Sequence, residues 1–203
     1  AQWDFPDVFH PDFQKYLAEE LDRHAEYRDD PWLLGVFIDN EPTWAGFGKD
    51  EKYTLALNIL SSTNGTETKK EALHFLRERH GALTALNDAW GARFSSWDEL
   101  ADLPIVLSGE SLAKAEGDLS AIISLVAVRY FSTCREMMDR FFPGTLYLGC
   151  RFAPYNREEV GAAKKYCNAV TFNIYSELPD KHKDAFALAS EFDFPLLIGE
   201  YSF

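Results

Sequence analysis

Short apolar runs alternate with longer amphipathic segments along this chain. Four runs rich in Leu, Ile, Val and Phe predict strands buried on both faces, at 33–38, 146–150, 169–175 and 195–199. Helical spacing of apolar residues predicts helices at 12–28, 67–80, 82–90, 119–141, 156–166 and roughly 180–191. We expect Asp12 and Asp118 to cap two of these helices, and Asn156 to form a capping box with Glu159. Strands that alternate with helices predict a parallel sheet with right-handed crossovers.

One long segment departs from this alternation. Residues 42–117 separate the first predicted strand from the long helix, and their own pattern is partly helical, so we expect a helical insertion there. Four parallel strands make half of an eight-stranded barrel or part of an open sheet. No GxGxxG or Walker motif follows any strand, which weakens the nucleotide-binding open sheet. The expected fold class is therefore α/β, a partial (β/α)8 TIM barrel, with residues 1–203 as a fragment of one domain because the last apolar strand lacks a covering partner.

Charge and composition narrow the functional classes. The net charge of -13 disfavours nucleic acid and anionic membrane surfaces, and no apolar run approaches the ~20 residues of a membrane span. The five histidines form no HxH or HExxH pattern, so neither a metal nor another cofactor is expected. The three cysteines form no CxxC pair and are expected to be reduced core thiols.

Two glutamates occupy matching places in the pattern. Glu41 follows the apolar run at 33–38, and Glu200 closes the run at 195–199. The C-terminal ends of parallel strands are where catalytic groups collect in α/β folds. Taken alone, either acid could be a solvated loop residue. A pair of carboxylates at one edge is the minimal machinery for cleaving a glycosidic bond, and it favours Glu41 and Glu200 as catalytic residues.

Several neighbouring side chains are candidate substrate-binding residues: Asn40, Trp44, Arg151, Asn173 and Tyr175. Tyr175 ends the strand before Glu200 and could donate a hydrogen bond to that carboxylate, while Asn173 shares its strand face. Arg151 could bind sugar hydroxyls or hold a carboxylate, and a structural salt bridge is an equal alternative. Trp44, and Trp3 near the N-terminus, could stack on sugar rings or serve as ordinary packing.

Three segments carry a family resemblance. They are Asp29-Asp30-Pro31-Trp32 leading to Phe37-Ile38-Asp39-Asn40-Glu41-Pro42, then Leu86-Asn87-Asp88-Ala89-Trp90-Gly91 with Phe94-Ser95-Ser96-Trp97, and finally Ile198-Gly199-Glu200-Tyr201. Together they resemble the retaining glycoside hydrolases of the large (β/α)8-barrel superfamily. The similarity is closest to β-agarases, with β-galactosidases next.

This resemblance implies an enzyme and a set of roles. The chain would hold about strands four to seven of the barrel, with Glu41 as acid/base and Glu200 as nucleophile. The implied activity is cleavage of β-galactosidic linkages in a polysaccharide such as agarose, and the implied partner is a galactan-type carbohydrate. The alternatives are a β-galactosidase acting on small galactosides and a catalytically silent carbohydrate-binding barrel. Secretion or a periplasmic location would follow from an agarase-like role, while nothing in the sequence indicates an oligomeric state.

Overall fold

The chain alternates helices with short parallel strands. The structure is a computed structural model that describes residues 5–46, 51–63, 65–177 and 183–202. The helices in these ranges are α1 Pro11–Arg23, α2 Thr54–Ser61, α3 Glu67–His80, α4 Leu83–Trp90, α5 Trp97–Asp102, α6 Gly109–Phe141, α7 Arg157–Tyr166 and α8 Lys183–Phe192. The strands are β1 Gly35–Val36, β2 Leu146–Tyr147, β3 Arg151–Phe152, β4 Val170–Ile174 and β5 Leu196–Tyr201.

The five strands lie along four neighbouring parallel lines, because β2 and β3 follow each other on the same line. Strand β1 pairs with β2, and β3, β4 and β5 pair in that order, all in parallel. The first two lines continue beyond β1 and β2, because the Ile38 amide donates to the Gly149 carbonyl (3.0 Å) and Asn40 bridges Arg151. Segment 35–41 therefore runs beside 146–152. These parallel strands, connected through helices, confirm the predicted α/β class.

The first two strands are less regular than predicted. Within the run 33–38, only Gly35 and Val36 are paired as a strand. Within the run 146–150, the strand ends at Tyr147. Pairing resumes at Arg151 after Gly149, which has a left-handed φ of 76°. An apolar run cannot signal this break, since the break depends on one backbone conformation.

The long helix α6 begins ten residues before the predicted start. Asp118 was expected to cap it but lies inside it, and the first turn is instead closed by Ser111 Oγ, which accepts from the Ser108 amide (3.2 Å). The buried Asp118 carboxylate accepts from Trp90 Nε1 (2.7 Å) and lies 2.8 Å from both Arg79 Nε and His80 Nε2. The predicted end of the insertion at residue 117 therefore falls within α6, and Asp118 joins α3 and α4 to that helix.

Most other predicted helices are confirmed. The segments 67–80 and 82–90 form α3 and α4, and the Asn156–Glu159 capping box begins α7. His10, whose ring accepts from the Asp12 amide, caps α1 in place of Asp12, and this helix ends at Arg23 with a 3-10 turn at Ala25–Tyr27 after it. Helix α2 was not predicted. Helix α8 is described from Lys183, so residues 180–182 of the predicted segment lie outside the described residues.

Two buried features of the core matter for later arguments. Lys69 on α3 is buried, and its Nζ donates to the Ser62 and Leu103 carbonyls (2.8 Å each), at the C-terminal ends of α2 and α5. The three cysteines are free and buried, as the sequence predicts. Within the described ranges, no helix combines the length and apolar character needed to cross a membrane.

Candidate active site

The predicted site residues lie at the same edge of the four strand lines. Glu41 ends the first line, Arg151 begins β3 on the second, Asn173 belongs to β4 on the third, and Glu200 belongs to β5 on the fourth. Tyr175 directly follows β4. Because the lines are parallel, their C-terminal ends meet at one edge, where ligands bind in this class of fold.

Glu41 is held by the neighbouring strands. Its amide donates to the Arg151 carbonyl (2.9 Å), and its carboxylate Oε1 accepts from Asn173 Nδ2 (2.7 Å). Asn173 Nδ2 also lies 3.5 Å from Asn40 Oδ1. Glu41 lies on the first line and Asn173 on the third, with the second line between them. A direct hydrogen bond between their side chains therefore means that side chains on this face converge.

Glu200 receives one donor on each carboxylate oxygen. The Arg151 guanidinium lies 2.8 Å from Oε1, and Tyr175 Oη donates to Oε2 at 2.5 Å. The guanidinium also stacks over the Phe37 ring at 5.5 Å, which limits its movement. Arg151 and Tyr175 together fix the orientation of the Glu200 carboxylate.

Both glutamates raise the pKa of Tyr175. The hydrogen bond to Glu200 raises the pKa of Tyr175 to about 12, with smaller contributions from desolvation and from the charges of Glu200 and Glu41. The phenol is therefore protonated at neutral pH and acts as a donor. The structure thus brings Arg151, Tyr175 and Glu200 together in one group, and Asn40, Glu41 and Asn173 in a second group beside it.

Gly199 forms a bulge in β5 directly before Glu200. The pairing of β4 with β5 shifts here, since Phe172 pairs with Ile198 whereas Asn173 pairs with Glu200, which leaves Gly199 as the extra residue of a bulge. A Cβ on Gly199 would lie 2.6 Å from Thr171 Cγ2 and 2.9 Å from Arg151 Cγ and Cδ. Sequence reasoning missed both Gly199 and Phe37. A glycine inside an apolar strand is the signal that could have revealed the close approach.

Trp44, a candidate substrate-binding residue, has the second of the two roles that the sequence left open, which is ordinary packing. Its side chain is fully buried, with its ring 4.6 Å from Phe5, 5.4 Å from Tyr130 and 5.6 Å from Phe131. These rings cover the indole, so it has no free face for a substrate and serves as core packing. The other predicted stacking residue, Trp3, lies outside the described residues.

A cavity of about 560 Å³ opens beside Asn40 and Glu41. Tyr16 on α1 lies on its wall and is 58% exposed, so it offers an aromatic surface there. In the part of the chain that the structure describes, no cluster of three His, Cys, Asp or Glu side chains could hold a metal ion. The side chains at this edge offer carboxylates, amides, a phenol and a guanidinium.

Comparison with known proteins finds relatives that align with almost the whole chain. The chain is 31% identical to β-agarase B of Vibrio sp. (strain JT0107) over 208 residues, which cover 97% of this chain and 21% of that protein. It superposes on a solved exo-β-agarase structure with a TM-score of 0.86 and 34% identity, covering 97% of this chain and 27% of that one. In sequence and in fold the chain is therefore a glycoside hydrolase segment close to the β-agarases. This confirms the resemblance that its sequence motifs indicated.

Other comparisons set the limits of the agarase relationship. A β-galactosidase from Bacillus circulans sp. alkalophilus matches with a TM-score of 0.55 and 21% identity, covering 89% of this chain and 26% of that one, and shares the fold. No protein-family model matches the chain. This agarase-related chain spans about a fifth of the length of the curated relatives it matches.

Proposed function

We propose that this chain supplies the two catalytic carboxylates of a retaining glycoside hydrolase. The observation that carries the proposal is the pair of differently held glutamates at one strand edge. Among the residues that the structure describes, Glu200 has a donor on each oxygen, from Arg151 and Tyr175, whereas Glu41 has a single side-chain donor, the amide of Asn173. Two carboxylates in unlike environments are what separate acid and nucleophile roles require.

The four strand lines are the fourth to seventh strands of a (β/α)8 barrel in this proposal. Residues 1–203 are then a fragment of its catalytic domain, with residues 42–117 as a helical insertion after the first strand present. Support comes from the parallel order of the lines and from the convergence of side chains at their C-terminal edge. Converging inward-facing side chains are expected where a sheet curves toward closure.

Each carboxylate has a defined part in the reaction. Glu41 protonates the glycosidic oxygen as the bond to the anomeric carbon breaks, while ionised Glu200 attacks that carbon and forms the glycosyl-enzyme intermediate. Glu41, now ionised, takes a proton from water, which attacks the same carbon and releases Glu200. This retaining sequence needs the two carboxyl groups about 5–5.5 Å apart when substrate is bound. Asn40 and Asn173 are suited to bind sugar hydroxyls near Glu41.

The substrate proposed is a galactose-containing polysaccharide such as agarose. Two curated β-agarases and a solved exo-β-agarase are at least 30% identical to the chain, whereas the β-galactosidase is similar in fold alone. The cavity beside Glu41 and the exposed ring of Tyr16 on its wall suit a sugar unit next to the cleavage point.

The full-length protein should be assayed on agarose, porphyran and aryl β-galactosides, with the product anomer followed by NMR. We expect agarose to be cleaved with retention of configuration. Glu41→Gln and Glu200→Gln should each abolish turnover, while Glu191→Gln, a matched change in a surface ion pair with Arg157, should not. Inverted products would refute the retaining mechanism. Sugar binding without any hydrolysis would identify the silent barrel, and activity confined to aryl galactosides would identify a β-galactosidase.

A further inference from the structure

The backbone that carries Glu41 has an unusual conformation. Asp39 and Glu41, on either side of Asn40, both have left-handed φ angles of 65° and 50°. Asp tolerates this region better than most residues, but Glu does not favour it. Such conformations persist where surrounding groups hold them, and they concentrate at functional sites. A group that holds this turn therefore affects the direction in which Asn40 and Glu41 point.

Tyr130 on α6 is that group. Its Oη lies 2.7 Å from Asp39 Oδ2 and 3.1 Å from the Ile38 carbonyl oxygen, and the phenol donates to them. Burial raises the pKa of Tyr130 well above its usual value, so the phenol is a permanent donor at neutral pH. No other side-chain hydrogen bond to Asp39 is found in the described part of the chain.

The Tyr130 ring cannot easily move away from this position. It is fully buried, and its centroid lies 4.9 Å from that of Phe131 and 5.4 Å from that of Trp44. Phe5 and Phe13 close the other sides, each at 5.9 Å. A fixed ring gives a fixed hydroxyl, so the position of α6 in the core is transmitted to Asp39.

We propose that Tyr130, acting through Asp39, is a positioning residue for the acid/base Glu41. The inference rests on the proposed role of Glu41. Tyr130 touches neither Glu41 nor the cavity, and its effect on the reaction comes from holding the turn at 38–41. Without its hydroxyl, the turn is free to relax from the left-handed conformation. The carboxyl of Glu41 then spends less time aligned with the glycosidic oxygen, and this lowers kcat more than it raises KM.

The test uses five variants of the full-length enzyme on agarose. Tyr130→Phe removes the donor alone, and Asp39→Gly removes the acceptor while still allowing a positive φ. We expect each to lower kcat about 10- to 100-fold with KM changed less than about twofold, and the double variant to be no slower than the worse single variant. Asp39→Asn keeps an acceptor oxygen and should retain most of the wild-type kcat. Tyr147→Phe, an equally buried phenol in the same core, is the matched control and should leave kcat unchanged.

The outcomes separate this inference from the function on which it rests. Undiminished kcat in folded Tyr130→Phe, an equal loss in Tyr147→Phe, or multiplying losses in the double variant would overturn the positioning role. If Glu41→Gln is inactive while Tyr130→Phe is fully active, only the positioning inference fails. If Glu41→Gln is active, the acid/base assignment and this inference fail together.

Discussion

Adding a single methyl group at Gly199 should disturb the site more than the fold. In Gly199→Ala the new Cβ would lie 2.6 Å from Thr171 Cγ2, 0.8 Å inside the 3.4 Å at which ordinary contact begins, and 2.9 Å from Arg151 Cγ and Cδ. Overpacking of this kind costs about 1–3 kcal/mol. Replacing glycine by alanine returns about 0.4–1 kcal/mol through the unfolded state, because the φ of Gly199 is not left-handed. We expect the free energy of unfolding to fall by about 1–2 kcal/mol.

The larger effect should be on turnover. Thr171 is fully buried in β4 and cannot yield easily, so the Arg151 stem is expected to move and to draw its guanidinium away from Glu200. A displacement near 1 Å at a reacting group lowers kcat by about 10- to 100-fold. Urea unfolding and agarose hydrolysis by the full-length protein measure the two effects.

Gly117→Ala is the matched control for this prediction. Gly117 lies in α6 with no atom within 4 Å of its added Cβ, so alanine there should stabilise the protein by about 0.5–1 kcal/mol without changing kcat. Wild-type kcat in Gly199→Ala, or equal changes in the two variants, would refute the steric reasoning.

Three further predictions concern groups in unusual surroundings. Tyr175→Phe should lower kcat about 10- to 100-fold, equally from pH 5 to pH 9, because the pKa of Tyr175 near 12 keeps the phenol protonated throughout; a pH-dependent loss would contradict this. Burial raises the pKa of Glu159 from 4.5 to about 8, so its contribution to stability is complete below pH 4.5 and is lost as pH rises to about 8. Glu159→Gln should therefore raise Tm more at pH 8.5 than at pH 5, and an equal shift at both would count against it. Lys69→Met leaves two helix-end carbonyls unpaired, so the free energy of unfolding measured in urea should fall by about 2 kcal/mol or more. The exposed Lys70→Met should lower it by less than about 0.5 kcal/mol. Similar losses in the two variants would show that the buried ammonium is unimportant.

The sequence predicted those parts of the site that depend on local pattern. An apolar run followed by an acid indicated where Glu41 and Glu200 leave the sheet, and two-residue periodicity placed Asn173 and Tyr175 near them. Residue type indicated which contacts were available, since a phenol and a guanidinium can both donate to a carboxylate, but it left the structural salt bridge of Arg151 open as an alternative. These inferences needed only neighbours in the chain and the rule that parallel strands end at one edge.

The parts that were missed depend on contacts between distant segments. Asp118 has the local signature of a helix cap, but its partners Arg79, His80 and Trp90 come from α3 and α4, and they stabilise it inside α6. Trp44 follows the acid as a stacking residue would, yet aromatic rings from three other segments bury it. The turn with positive φ angles at Asp39 and Glu41 likewise receives a hydrogen bond from a phenol about ninety residues away.

The buried cysteines make the strand edge that carries Glu41 and Glu200 observable without mutation. Cys150 lies between Gly149 and Arg151, and burial raises the pKa of its thiol well above the usual range, so a thiol reagent reacts with it only when this segment opens. Cys134 is buried to the same degree but belongs to α6 rather than to a strand. The ratio of the two alkylation rates therefore reports local opening of the edge relative to opening of the core. The natural chain thus contains both a probe and its internal reference for the kinetics of the site.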